Sequence, residues 1–69
     1  MKIMFTERLL LLRKDSGLSQ LQLAQKLHTT QRRISYLESG KVEPDLSTLI
    51  AIATLFDVST DYLLGLTDY

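Results

Sequence analysis

Gln31, Arg32, Arg33, Ser35 and Tyr36 crowd into a stretch that carries no acid until Glu38. Each offers a cation or a hydrogen-bonding group, and the chemistry open to such a set is recognition. A Gln amide can pair bidentately with an adenine edge; an Arg guanidinium can do so with guanine, or hold a phosphate. A solvated helix face usually mixes both charge signs, so a cationic, amide-bearing face implies a partner. Bond-making chemistry has little to work with. The chain has no Cys, its lone His28 has no nearby acid, there is no Gly-rich phosphate loop, and the carboxylates fall mostly at capping positions. A zinc site needs several N, S or O ligands, and no triad or paired acid stands out. An enzyme, a metal site and a cofactor are therefore not expected. Single-strand RNA readers rely on aromatic stacking platforms, which are also missing.

These residues must be held by the segment SQLQLAQKLHTTQRRISYLE, residues 19–38. Ser19 stands ahead of Gln20–Leu27 and Thr30 ahead of Gln31–Glu38, each placed to accept from an orphan backbone N–H as an N-cap. Leu23, Ala24 and Leu27 share one side of the first pattern, Ile34 and Leu37 one side of the second. About three residues around His28–Thr30 separate them. Helices joined by so short a turn cross steeply, as in a helix-turn-helix.

The rest of the chain reads as further helices. One over about 5–16 opens near Thr6, with Glu7 in its first turn and Arg13 and Lys14 near its end, matching the macrodipole. Gly17 supplies its left-handed stop. Phe5, Leu9 and Leu12 face the core, while Leu10 and Leu11 lie off that stripe, open to a partner surface or to burial under the chain ends. Ser39-Gly40-Lys41 closes the third helix. After the loop with Pro44, Asp45 caps a fourth helix over about 46–56, with Leu46, Leu49, Ile52, Ala53 and Phe56 as its apolar stripe. Asp57-Val58 breaks it, and Ser59 caps a short helix at 60–64 that points Tyr62 and Leu63 inward. No strand signal appears, so the expected fold is all-α: one five-helix bundle spanning 1–69.

Length and charge agree with a small binding domain. Sixty-nine residues give a core near the lower limit of independent stability. The net charge is zero, yet all eight Lys and Arg lie at or before residue 41 against three acids, a net of +5. The remainder holds five acids and no Lys or Arg, a net of −5. Phosphate contact is local, so one cationic face suffices on a neutral molecule. The start of the chain lacks an apolar run followed by a small-residue cleavage site, and the run Leu9–Leu12 is far too short to span a bilayer. A cytoplasmic location is expected.

Taken in register, many residues resemble one family. These are Arg8-Leu9, Arg13, Gly17-Leu18-Ser19-Gln20, Leu23-Ala24, Ile34-Ser35, Glu38-Ser39-Gly40-Lys41, Pro44, Leu49, Ile52-Ala53, Val58-Ser59 and Tyr62-Leu63-Leu64. The chain resembles, over residues 5–65, the phage-repressor/Cro type of helix-turn-helix domain, the xenobiotic-response-element family of bacterial and phage regulators with a lambda-repressor-like fold. The resemblance implies base contacts by Gln31, Arg32 and Tyr36. It implies phosphate contacts by Gln20, which also braces the recognition helix, and by Thr30, Arg33, Ser39 and Lys41. It makes Arg13 and Glu38 a structural ion pair. It also implies a homodimer on a palindromic double-stranded operator.

The departures are specific. His28 replaces the usual turn Gly, and His is among the few side chains enriched at positive φ. Arg33 replaces a residue that is often small, which leaves open an added phosphate contact or an altered base preference. Leu10 and Leu11 sit where charges are common, leaving self-association open there. Arg8 divides between a solvated helix residue and a phosphate contact. The expected function is sequence-specific binding of double-stranded DNA by a prokaryotic or phage transcriptional repressor. The alternative is a protein-interaction module on the same fold that has lost DNA binding. Leu64, Leu66 and Tyr69 could serve a dimer contact or lead into a further effector domain.

Overall fold

The computed structural model describes residues 3–69; Met1 and Lys2 lie outside the described residues, and with them one of the eight cations. Five helices follow in order: α1 Phe5–Asp15, α2 Gln20–Lys26, α3 Gln31–Ser39, α4 Leu46–Phe56 and α5 Thr60–Leu64. No strand occurs among the described residues.

Four of the five starts are fixed by one short side chain. Ser19 accepts from the Gln22 N–H while the Gln22 side chain accepts from the Ser19 N–H, a complete capping box. Thr30 accepts from Arg33, Asp45 from Thr48, and Ser59 from Tyr62, each three residues on. The first helix differs. Thr6 lies inside its first turn, and the capping position is Met4, which makes no side-chain bond. The Met4 N–H instead donates to the Leu64 carbonyl at 3.2 Å, so the start of α1 is held by the end of α5. His28 lies at φ 57, the left-handed conformation that the tight α2–α3 turn requires.

The core takes one stripe from every helix: Phe5 and Leu9, Leu23 and Ala24, Ile34 and Leu37, Leu49, Ile52 and Ala53, and Leu63. Leu9, Leu23, Ile34, Leu37, Ile52 and Leu63 are enclosed almost completely. Each such side chain contributes about 2 kcal/mol by leaving water. The stripe on α4 is shorter than its sequence period implies. Leu46, one turn before Leu49, is 78% exposed because the first turn of α4 overshoots the edge of the core. Leu12 and Leu64 pack against the core but are only partly buried. Leu64 is thus committed to the fold, whereas Leu66 and Tyr69 are exposed. Leu11 is exposed and Leu10 half-buried. Tyr62 is half-buried, its ring lying under the Arg8 guanidinium at 4.2 Å.

Candidate nucleic-acid interface

α2 and α3 make the most extensive interhelical contact in the molecule. Leu23, Ala24, Ile34 and Leu37 fill it, which leaves the opposite side of α3 to solvent. On that side Gln31 and Arg32 are exposed, with Tyr36 half-exposed one turn further on. Neither Gln31 nor Arg32 has an acid opposed to it among the described ion pairs.

The back of α3 is held by a polar cluster. Arg13 donates through Nε to Glu38 Oε2 and through Nη2 to Oε1 at 3.1 Å, a two-bond fork. Its remaining Nη1 bonds the Leu18 carbonyl at 2.9 Å, and Gln20 Nε2 donates to Glu38 Oε1 at 3.1 Å. The Glu38 side chain is only 5% exposed and that of Arg13 only 12%. No buried side-chain N or O among the described residues lacks a hydrogen-bond partner, the condition under which a buried charge pair is tolerated. The cluster joins α1, the start of α2 and the end of α3, and so fixes the angle of the outer face. Gln20 is turned toward this scaffold and bears on α3 through Glu38.

The loop after α3 folds back on the helix. Gly40 lies at φ 80, and its N–H and that of Lys41 both reach the Tyr36 carbonyl, as does the Ser39 hydroxyl at 3.2 Å. This turn places the Lys41 ammonium 4.6 Å over the Tyr36 ring. A cation over an aromatic face is attracted by the ring quadrupole, so Lys41 is aimed along the same edge as Tyr36. Thr30 is exposed and occupied in capping Arg33.

Arg33 is not alone at the flank. Its Nη2 lies 3.9 Å from Asp45 Oδ1, the oxygen that also accepts from the Thr48 N–H at 2.9 Å. The Asp45 carboxyl is held below its ordinary value, first by hydrogen bonding to Thr48 and then by the Arg33 charge. Sequence reading finds Asp45 as a cap but not as a charge partner, since no local signal links residues twelve apart across a loop. Arg8 is likewise resolved only by the fold. Its guanidinium bonds the carbonyls of Tyr62, at 2.6 Å, and Thr67, and reaches Asp68 at 3.4 Å. Arg8 is therefore not a freely solvated residue; its guanidinium is engaged at the C-terminal end of α5. Among the described residues, no group of three or more His, Cys, Asp or Glu could hold a metal ion.

Comparison with known proteins points the same way. A helix-turn-helix family model matches residues 9–63. The chain is 42% identical over 65 residues to the HTH-type transcriptional regulator YobD of Bacillus subtilis (strain 168), covering 94% of this chain and 58% of that protein. It is 40% identical to the B. subtilis HTH-type transcriptional regulator ImmR over 53 residues, 77% of this chain and 42% of that protein. The chain thus spans between 30% and 58% of the length of such relatives. Among solved structures it resembles the P22 c2 repressor in complex with synthetic operator 9T, with TM-score 0.83, 30% identity, and coverage of 93% and 96% of the two chains. A transcriptional regulator from Listeria innocua superposes at TM-score 0.89 with 38% identity, over 94% of this chain and 61% of that one.

Proposed function

We propose, for a chain that belongs to the phage-repressor/Cro type family of helix-turn-helix regulators, that it binds double-stranded DNA with α3 in the major groove. Gln31, Arg32 and Tyr36 touch base edges there, and Thr30, Arg33, Ser39 and Lys41 hold the flanking phosphates. Gln20 serves the same interface by bracing α3 through Glu38 and can contact the backbone at the start of α2. The observation that carries this reading is the exposed outer face of α3, polar from Gln31 to Tyr36 and set rigidly by the Arg13–Glu38–Gln20 cluster. The operator complex of the P22 c2 repressor, a structural neighbour, supports it.

The chain acts as one DNA-binding domain over 1–69, in a cytoplasmic repressor. The reading includes a homodimer on a palindromic operator. The Cα atoms extend 29 × 23 × 20 Å, whereas half-sites on one face of a duplex lie about 34 Å apart, so two copies are needed to read both. An effector or oligomerisation domain accompanies the DNA-binding unit in a longer regulator; the length of the relatives supports this. No helix among the described residues is long and apolar enough to cross a membrane. The reading carries no cofactor and no catalysis.

Selection of bound sites from a random duplex pool tests the proposal. Enrichment of a two-fold symmetric motif is expected. Failure of the folded, paired protein to retain any duplex at low ionic strength would sink it and leave the protein-docking alternative.

A further inference from the structure

We infer that Asp45 limits the affinity of the interface by holding Arg33 and competing with DNA phosphate for its guanidinium. The inference rests on the reading of Arg33 as a phosphate contact. Its structural ground is that the carboxylate is anchored, not free to swing away. Asp45 Oδ1 accepts the Thr48 N–H at 2.9 Å as the cap of α4, and from that fixed point lies 3.9 Å from Arg33 Nη2. The Arg33 side chain is 38% exposed and that of Asp45 64%, so the pair sits at the rim of the α3 face. A strand passing there meets an anion beside the cation that should receive it.

A charge is not required for what Asp45 does in the fold. Asn and Ser cap a helix about as well as Asp, because the cap uses an oxygen acceptor. Glu43, Asp45's exposed acidic neighbour in the same loop, makes no described ion pair with Arg33. The choice of an acid at 45 therefore adds a restraint on Arg33 that an uncharged cap would not. When Arg33 turns to a phosphate it leaves this carboxylate, and the unpaired anion then stands next to the DNA backbone. Phosphate contacts act without regard to sequence, so this device tunes affinity while leaving base preference alone.

The test compares wild type, Asp45→Asn, Arg33→Ala and the double variant on a short mixed-sequence duplex and on a duplex selected for tight binding. Melting temperature serves as the control for α4. Asp45→Asn should bind both duplexes about 1.5-fold to fivefold more tightly near 0.1 M salt, with their affinity ratio unchanged. The plot of log affinity against log salt should steepen by up to about 0.9. In the Arg33→Ala background the gain should fall by at least half. No gain in a folded Asp45→Asn protein overturns the inference, and so does a gain of equal size without Arg33, which is general repulsion. If Asp45→Asn melts early, Asp45→Ser replaces it with the same outcomes. Failure of the wild type to bind either duplex overturns the interface reading as well, and is told apart by that.

Discussion

Arg32 and Lys41 are both exposed cations at one face, and the proposed reading gives them different work. Arg32 stands on the first turn of α3 with nothing opposed to it among the described ion pairs, free to enter a groove. Lys41 is drawn over the Tyr36 ring and points along the edge of the helix. Replacing Arg32 with Ala should cost about 1–3 kcal/mol on the selected site and relax preference at particular base pairs. Equal weakening on all sequences would move Arg32 to the phosphate set. Replacing Lys41 with Ala should weaken all duplexes alike and reduce the salt slope by about 0.9. An unchanged slope would remove Lys41 from the backbone contacts. Because the Tyr36 ring seats Lys41, Tyr36→Phe should keep the salt slope while Tyr36→Ala lowers it.

At the scale of elements, the decisive object is the joint between α1, α2 and α3. Glu38 accepts from Arg13 twice and from Gln20 once, in a setting almost closed to water. Removing one partner strands the other, which costs about 3 kcal/mol for a pair this buried. For a domain of this size, Arg13→Ala should lower the melting temperature by roughly 10–20 °C and change operator preference little. A shifted preference with unchanged melting would show that Arg13 acts at the DNA and not in the scaffold. A smaller effect is expected for Gln20→Ala, which leaves the fork in place and loosens only the start of α2.

For the molecule as a whole, the start of α1 is tied to the end of α5 and the residues after it. The Met4 N–H bonds the Leu64 carbonyl, and Arg8 clamps the carbonyls of Tyr62 and Thr67. Gly65 makes the return possible. It lies at φ 86, and a Cβ there would come within 2.8 Å of Met4 Cγ and 3.1 Å of Met4 Cβ. Gly17 is a useful contrast, being at φ 72 with open space where its Cβ would be. Gly17→Ala should cost only the left-handed backbone penalty of about 1–2 kcal/mol. Gly65→Ala should cost more, since Met4 must also move, and should free the 65–69 tail to early proteolysis. Equal melting temperatures for the two variants would show that the approach of Gly65 to Met4 is not a packed contact.

Much of this protein could be read without coordinates because the signals are local. A hydroxyl or carboxylate three residues ahead of the N–H it caps, an apolar period of three to four, and a short turn between Lys26 and Gln31 are all written within a few positions. Those determined the five helices, the starts of four of them, the all-α class and the helix-turn-helix; the start of α1 rests on the distant Leu64 carbonyl, and the family was legible from the residues that resemble it in register. What the tertiary structure alone decided are contacts between residues far apart in the chain. Arg8 meets Thr67 across nearly the full sequence, Arg33 meets Asp45 around a loop, and Leu46 falls outside the core although its period matches. Such outcomes depend on where each helix ends relative to its neighbours, and a periodic pattern fixes the direction of a side chain without saying what stands in front of it.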